Sequence, residues 1–371
     1  MRVLTRLVAG AVMAATATAL AIAPAIADPV NSHGRAVTPR ESDIVGVGSD
    51  TIEYLLDQLS LDYNATHHRN SQLYSWDALN PRTGLIDNIR TKAGCAATPR
   101  PNGSSAGILA LTANAKTRDR RFNCIDFTRS SRGRKSTDPA KGPGGIEFVA
   151  LAKDAVTFAT NSATNAPANL SARQLGQIYS CTVTNWRQVG GRNGRISAQL
   201  PQTGSGTRAF FLTAIGVVTP GACVNSTAEE NEGVNRVLAG RNTIFPYSVG
   251  KYLAETYHSG RCGTRPARVK NQFGCDNHGA MVLHSIGGSR PTTGRGAAQT
   301  INARFNPLFV RVVYDVVRYS ATTADHIPSY LEQIFASAHA RHTGWLCSSR
   351  IAQRDEANYG FLLFPFCGTP S

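Results

Sequence analysis

The segment Ile44-Val45-Gly46-Val47-Gly48 is apolar and β-branched and ends on glycine, Ser49 and Asp50 stand where a helix takes its cap, and Ile52, Leu55, Leu56 and Leu59 then recur at helical spacing. A buried strand, a tight polar turn and an amphipathic helix over residues 51–63 follow from that pattern. It comes back later. Ile196–Leu200 reads as a strand that runs into Pro201-Gln202-Thr203-Gly204-Ser205-Gly206-Thr207 and then into the apolar helix Ala209–Val217. Between them, Ile125-Asp126-Phe127 is a short strand leading into the polar run Thr128–Lys135, and Ile146–Ala152 and Ala155–Thr160 are β-rich runs around Lys153-Asp154. Asn169 or Ser171 caps a helix carrying Leu175, Ile178 and Tyr179; Leu308–Tyr319 is again β-rich, and Ile327–Ala336 is the last clear helix. Strands alternating with helices predict an α/β fold with largely parallel sheets. Residues 66–103 and 255–300 read as long polar loops with short elements.

Arg2 and Arg6 precede an apolar stretch from Leu7 to Ala23, and Ala25-Ile26-Ala27 is a small-x-small cleavage signal, so residues 1–27 are expected to be a secretory leader rather than a membrane anchor. Residues 28–42 are polar and contain proline, which predicts a flexible leader to the fold. No cysteine follows the cleavage site to take a lipid anchor, so the mature chain is expected outside the cytoplasm, secreted and unattached. The rest of the 371-residue chain is too long for one compact core, and two lobes are expected.

The eight cysteines are even in number, which in an exported chain predicts disulfides. Connectivity is not fixed by the sequence; the nearest-neighbour pattern Cys95–Cys124, Cys181–Cys223, Cys262–Cys275 and Cys347–Cys367 is the expectation, each bridge restraining the unfolded chain by roughly 2–4 kcal/mol. No C-x-x-C pair and no histidine cluster at metal spacing occurs, so neither a metal nor another cofactor is expected. The formal charge is +15, and removing a leader with two arginines and no acid leaves about +13. Such a field draws anions, whether nucleic acid, cell wall or a small oxyanion, and does not choose among them.

Four polar turns share one chemistry: Gly48-Ser49-Asp50-Thr51, Gly103-Ser104-Ser105, Arg129-Ser130-Ser131-Arg132 and Gly204-Ser205-Gly206-Thr207. A helix start offers free N–H groups and the positive end of the dipole, glycine lets backbone come close, and a short hydroxyl adds a donor; together these hold an anion without a metal. At the carboxyl ends of strands, that is where an α/β fold places its ligand. A Walker loop would need Gly-Lys-Ser/Thr, and no such string is present. A nucleophile elbow would need glycine where Thr203 stands, so Ser205 is a poor nucleophile and the chain is not expected to be an enzyme.

In order and spacing, these pieces resemble the phosphate-specific substrate-binding proteins of ABC transporters, with the type II periplasmic-binding-protein fold. The resemblance runs from Asp43 to Pro365. It rests on the glycine turn opening the helix at 51, Gly103-Ser104-Ser105, Ile125-Asp126-Phe127, Leu175-Gly176-Gln177-Ile178-Tyr179 before Asn185-Trp186, and Gly204-Ser205-Gly206-Thr207. Pro246-Tyr247-Ser248 and Tyr359-Gly360-Phe361 fit more loosely, and Gly-Ser-Asp-Thr and Pro-Gln-Thr-Gly-Ser-Gly-Thr resemble the actinobacterial branch. The resemblance implies two doubly wound lobes with a ligand cleft between them: lobe I from 43–153 and 309–371, lobe II from 154–308, with hinge strands near Lys153-Asp154 and Asn306-Pro307. It implies a monomer that captures phosphate by hinge closure for an ABC transporter permease, with no nucleic-acid partner. The family's ligand donors fall on Asp50, Thr51, Ser104, Ser205, Gly206 and Thr207.

Two positions depart from the family. Ser131 stands where the family has an Asp that accepts the phosphate's proton, and Pro201 stands where it has the partner Arg. Hydrogen phosphate carries a proton and sulfate does not, so a buried carboxylate can reject sulfate. Asp50 is the candidate for the missing acceptor, with its plain reading an N-cap, and Arg129, Arg132 or Arg208 the candidates for charge, with 129–134 otherwise a solvated loop. Trp186 and Trp345 read as packing, His67-His68 as an exposed loop, and Glu229, Glu230 and Glu232 as a helix-start charge run that in the family lies near the cleft. The rival readings are a secreted phosphohydrolase, which needs an activated nucleophile or a metal cluster, and a surface-binding protein that kept the fold and lost transport.

Overall fold

Ile44–Gly48 forms β1, all five residues buried, and parallel neighbours flank it on both sides: β2 (Leu73–Ser75) and β3 (Phe127–Ser130). The computed structural model describes residues 28–31, 35–81, 83–113, 115–257, 278–336 and 344–371. The expected leader 1–27 and the expected Cys262–Cys275 bridge therefore lie outside the described residues. Within them, disulfides join Cys95 to Cys124, Cys181 to Cys223 and Cys347 to Cys367. No helix among the described residues is long and apolar enough to cross a membrane.

The Ile146–Thr160 region is one strand and not two runs: β4 spans Ile146–Asn161, 16 residues, almost all buried. No break is needed at Lys153-Asp154 because both stretches extend the same backbone and only the partner changes. The first part of β4, Ile146–Ala155, pairs antiparallel with β9 (Val310–Arg318), and Val156–Thr160 pairs antiparallel with β7 (Thr243–Ser248). Beyond β7 lie β5 (Ser197–Pro201) and β6 (Asn225–Ala228), both parallel to their neighbours. The main path is β2-β1-β3-β9-β4-β7-β5-β6, with β8 (Met281–Leu283) and β10 (Leu362–Leu363) also on β4. The strand β4 thus carries two sub-sheets. A parallel set is completed by antiparallel partners on each side, so the sheets are more mixed than the strand–helix alternation predicted.

Four apolar clusters pack against the sheets among the described residues, and the two largest flank that shared strand. Ile44, Leu73, Phe127, Val313 and Val317 pack with helix α1 (Glu53–Thr66) in one. Phe158, Leu200 and Ile244 pack with Leu175 and Ile178 of α3 (Ala172–Tyr179) and Phe211 of α4 (Gly206–Ala214) in the other. Ser171 caps α3 with a full capping box, its hydroxyl accepting from the Gln174 N–H. The helix α1 is buried nearly all round rather than amphipathic, because the C-terminal segment folds back over the face that would otherwise meet solvent. That segment holds α5 (Ser329–Phe335), α6 (Trp345–Ser348) and α7 (Arg350–Asn358), so Ile327–Ala336 is not the last helix. The sequence Arg350–Asn358 is too polar to show a helical apolar stripe, yet its Asp355 and Glu356 are buried.

The strand β3 begins at Phe127, later than expected, and takes in Thr128, Arg129 and Ser130, which read as part of a polar turn. Ladder bonds to β1 on one side and β9 on the other satisfy that backbone, so polar side chains do not end the strand.

Candidate functional site

Each glycine-serine turn sits at the carboxyl end of a strand or the start of a helix. After β1, a 3-10 turn at Asp50–Ile52 precedes α1, and its cap is Ser49, whose hydroxyl accepts from the Thr51 N–H; Asp50 is inside the turn and not the cap. Helix α2 (Ser104–Thr112) starts behind Gly103, Ser131 follows β3, and Ser205 caps α4 behind β5, accepting from the Arg208 N–H.

These turns converge. The Ser49 hydroxyl donates to Ser131 Oγ at 3.0 Å, and the Ser131 N–H donates to Ser104 Oγ at 3.0 Å. Thr51 Oγ1 and Thr207 Oγ1 are 3.2 Å apart, which joins the first turn to the last. Ser49, Ser104, Ser131, Ser205 and Thr207 are fully buried. At Gly206 the packing leaves no room for a side chain: a Cβ would lie 2.3 Å from Ser131 Oγ and 2.4 Å from Ser104 Oγ. Gly103 is bound by both conformation and space, with φ of +92° and a Cβ position 2.7 Å from the Gly204 carbonyl oxygen. That carbonyl accepts the Ser105 N–H at 3.1 Å, a backbone contact between the two halves of the sheet. Gly103→Ala is expected to lower stability by about 1–3 kcal/mol, the cost of holding a side chain in that backbone region. It should also push the halves apart, seen as a larger radius of gyration by small-angle scattering; an unchanged radius would mean the contact is not what holds them together.

The cation at this point is Arg311 of β9, and not one of the three arginines expected there. Its Nη2 donates to Thr207 Oγ1 at 2.9 Å and reaches Thr51 Oγ1 at 3.5 Å. Both Nε and Nη2 also bind Asp154 Oδ2, at 3.0 and 2.7 Å, and residues 311 and 154 are register partners across β9 and β4. Asp154 is itself held by the Ser248 hydroxyl at 2.9 Å and the Gly250 N–H at 3.0 Å. Arg311 Nη1 is buried and has no hydrogen-bond partner among the described residues. Arg129 is fully buried, and its guanidinium donates to the carbonyls of Ser49 at 2.8 Å and Trp76 at 2.8 Å, so it braces the first turn from behind. Arg132 is buried against Asp138, with bonds of 2.6 and 2.9 Å, rather than solvated. Arg208 donates to the Pro201 carbonyl at 2.9 Å.

Two acidic positions also differ from expectation. Asp50 binds Lys251 Nζ at 3.1 Å and accepts from Asn231 Nδ2 at 2.7 Å, so its carboxylate ties the first turn to the opposite half. Glu230 is not in a helix-start run. It follows β6 in a turn, is buried, and reaches the converging hydroxyls: its Oε1 accepts from the Thr207 N–H at 2.9 Å and from the Thr51 hydroxyl at 3.2 Å. His67 stacks on Tyr63 instead of lying free in a loop, and Trp186 is fully buried packing. Composition and spacing do not mark Glu230; only the family resemblance, which puts its stretch near the cleft, points to it. Arg311 and Asp154 leave a faint signal, since each is a charge inside a β-rich run. Among the described residues, no group of three or more His, Cys, Asp or Glu is placed to hold a metal.

What the arrangement can do is bind. It offers hydroxyl donors, a helix-start N–H and one fixed guanidinium in a dry space, and it has no activated nucleophile. Residues 34–270 match a family model described as a PBP superfamily domain. Among solved structures, the chain is similar to an ABC-type phosphate transport receptor from Vibrio cholerae, with a TM-score of 0.52 and 18% identity over 87% of this chain and 100% of that one. It is also similar to a protein from Clostridium perfringens assigned as a phosphate ABC transporter substrate-binding protein and solved with bound phosphate; the TM-score is 0.55 at 14% identity over 87% of this chain and 99% of that one. At those identities the likeness speaks to the fold, two α/β lobes with a cleft between them.

Proposed function

The chain belongs to the PBP superfamily, and from that premise we propose that it is a secreted solute-binding protein that captures a small oxyanion, inorganic phosphate, between its lobes for uptake. One observation carries the reading: hydroxyls and amides from turns far apart in sequence meet across the cleft beside an arginine locked by its own carboxylate partner. Two structural relatives of the same fold are phosphate-binding by their descriptions. Thr51, Ser104, Ser131, Ser205, Gly206 and Thr207 are the proposed ligand contacts, with Arg311 supplying the charge. Asp154 takes the Nε and Nη2 donors of that arginine, and Nη1 is left as the donor proposed for an anion.

The lobes proposed are 43–153 with 309–371, and 154–308. The proposed hinge on β4 lies near Lys153-Asp154, just before that strand passes from β9 to β7 between Ala155 and Val156, and the second, at Asn306-Pro307, leads into β9. Closure joins the lobes through Thr51 and Thr207, and through Asp50 with Lys251 and Asn231. The tie on Asp50 makes it a clamp residue in this reading rather than the acceptor of a phosphate proton. Secretion rests on the leader 1–27, and delivery to a permease rests on the family.

Isothermal titration of the mature chain with phosphate, sulfate and short polyphosphates tests the proposal. Saturable one-to-one phosphate binding is expected, with Asp50→Asn leaving the preference over sulfate unchanged because that carboxylate faces Lys251. Absence of binding to any of the three would leave a surface protein that kept the fold and lost its ligand.

A further inference from the structure

We infer that Glu230 is a built-in anion that occupies the ligand position of the closed protein, so that oxyanion capture is an exchange of one negative group for another. The inference rests on the anion-binding reading above. The Glu230 carboxylate is 2% exposed, and its Oε1 takes the Thr207 N–H at 2.9 Å, the Thr51 hydroxyl at 3.2 Å and the Ser131 hydroxyl at 3.5 Å. Those three donors come from three separate turns, two of them on the far side of the cleft. Behind them, Arg311 Nη2 donates to Thr207 Oγ1 and reaches Thr51 Oγ1 at 3.5 Å, so the guanidinium is relayed onto the carboxylate through the Thr51 hydroxyl. A carboxylate oxygen with three donors around it is the arrangement a bound oxyanion would have. Its second oxygen, Oε2, is buried without a hydrogen-bond partner among the described residues. A carboxylate placed only for stability would be expected to have both oxygens satisfied, since a buried unpaired acceptor is costly.

The segment is held at its backbone and not only by this side chain. The Glu230 N–H donates to Gln202 Oε1 at 2.8 Å, and Gln202 Nε2 donates to Asn102 Oδ1 at 2.8 Å across the cleft. The carboxylate can therefore swing away while the turn that carries it stays. A phosphate dianion needs the same donors, and two negative groups cannot share them in a dry site. The apparent affinity is then reduced by the fraction of molecules in which Glu230 still holds the donors. In the ligand-free protein, the same carboxylate keeps the lobes together.

The test compares wild type with Glu230→Ala and Glu230→Gln in the mature chain, by titration with inorganic phosphate and by small-angle scattering without it. Both variants are expected to bind phosphate more tightly, by about tenfold or more if Glu230 holds the donors in some nine molecules of ten. Ligand-free Glu230→Ala should have a larger radius of gyration than wild type, and phosphate should return it to the wild-type value. The near-isosteric Gln variant guards against a folding defect in the Ala one. Equal or weaker phosphate binding by both variants overturns the inference; weaker binding that Glu230→Asp restores would make Glu230 a partner of the ligand instead of its rival. If wild type and both variants all fail to bind phosphate, the functional reading falls, and the scattering comparison alone then decides whether Glu230 is a latch: an unchanged radius overturns it.

Discussion

Arg311→Met is expected to destabilise the protein by about 3–5 kcal/mol and to abolish oxyanion binding. Arg311 is the only cation bonded to the fully buried Asp154 among the described residues, through Nε and Nη2 at 3.0 and 2.7 Å. Removing one partner of such a pair leaves an uncompensated charge in a dry interior, which is far more costly than the pair's net worth. The loss of stability should therefore be largely reversed by a second change, Asp154→Leu, since a buried ion pair replaced by apolar groups of similar volume is often neutral. Binding should not return in the double variant, because the guanidinium beside Thr51 and Thr207 is gone. Arg311→Lys keeps the charge but not the fork that bonds Asp154 and Thr207 together, and should sit between the two. Urea unfolding and phosphate titration of the three variants measure both quantities. A single variant as stable as wild type would show that Asp154 takes a proton or a new partner at no cost, and a double variant that binds would remove Arg311 from the site.

Stability is expected to fall as pH rises from about 6.5 to 8.5 in phosphate-free buffer, by several degrees in melting temperature. Burial pushes the Asp57 carboxyl up to about 8 and holds its neighbour Asp77 well above the usual range, and the two stand close enough to share a proton. On β9 itself, burial pushes Asp315 up to about 7, and burial pushes Glu356 up to about 8, with Asp315 adding to the effect on Glu356. In the unfolded chain these groups lose their protons near pH 4, whereas in the folded protein Asp315 keeps its proton to about pH 7 and Asp57 and Glu356 to about pH 8. The folded state therefore binds more protons through that interval, and unfolding free energy declines with pH until the folded values are passed. His278 and His284, held below their ordinary value by burial, act in the opposite sense, but only below about pH 6.5, where the unfolded histidines charge. A drop of about 5 °C would correspond to about 2 kcal/mol on the scale of larger domains. A flat melting profile over this range would mean that these carboxyls are ionised in the fold. Asp315→Asn should flatten the profile in part without touching the cleft.

The proposed site is legible in the sequence as a set of donors and not as a set of charges. Ser49, Thr51, Ser104, Ser131, Ser205 and Thr207 stand in turns that strand and helix patterns flank, and local rules suffice to see them. Arg129 is the instructive miss. It lies within a serine-rich stretch that looks like a binding turn, but it is in a strand, and its guanidinium faces backbone carbonyls behind the site. The neighbours of a long side chain are set by the strands beside it, and those lie about 80 and 50 residues away in sequence at Ser49 and Trp76.

The strand–turn–helix order, the polar turns and the cysteines near one another in sequence are properties of short stretches, and the residues alone determined them. Long-range pairing decided the rest: β4 shared by two sub-sheets, Asp154 opposite Arg311, and Glu230 carried across to Thr51 and Ser131. A turn is chosen by the energies of a few adjacent residues, whereas a buried charge is placed by whichever partner the folded chain brings within about 3 Å, and that information is spread over the whole chain.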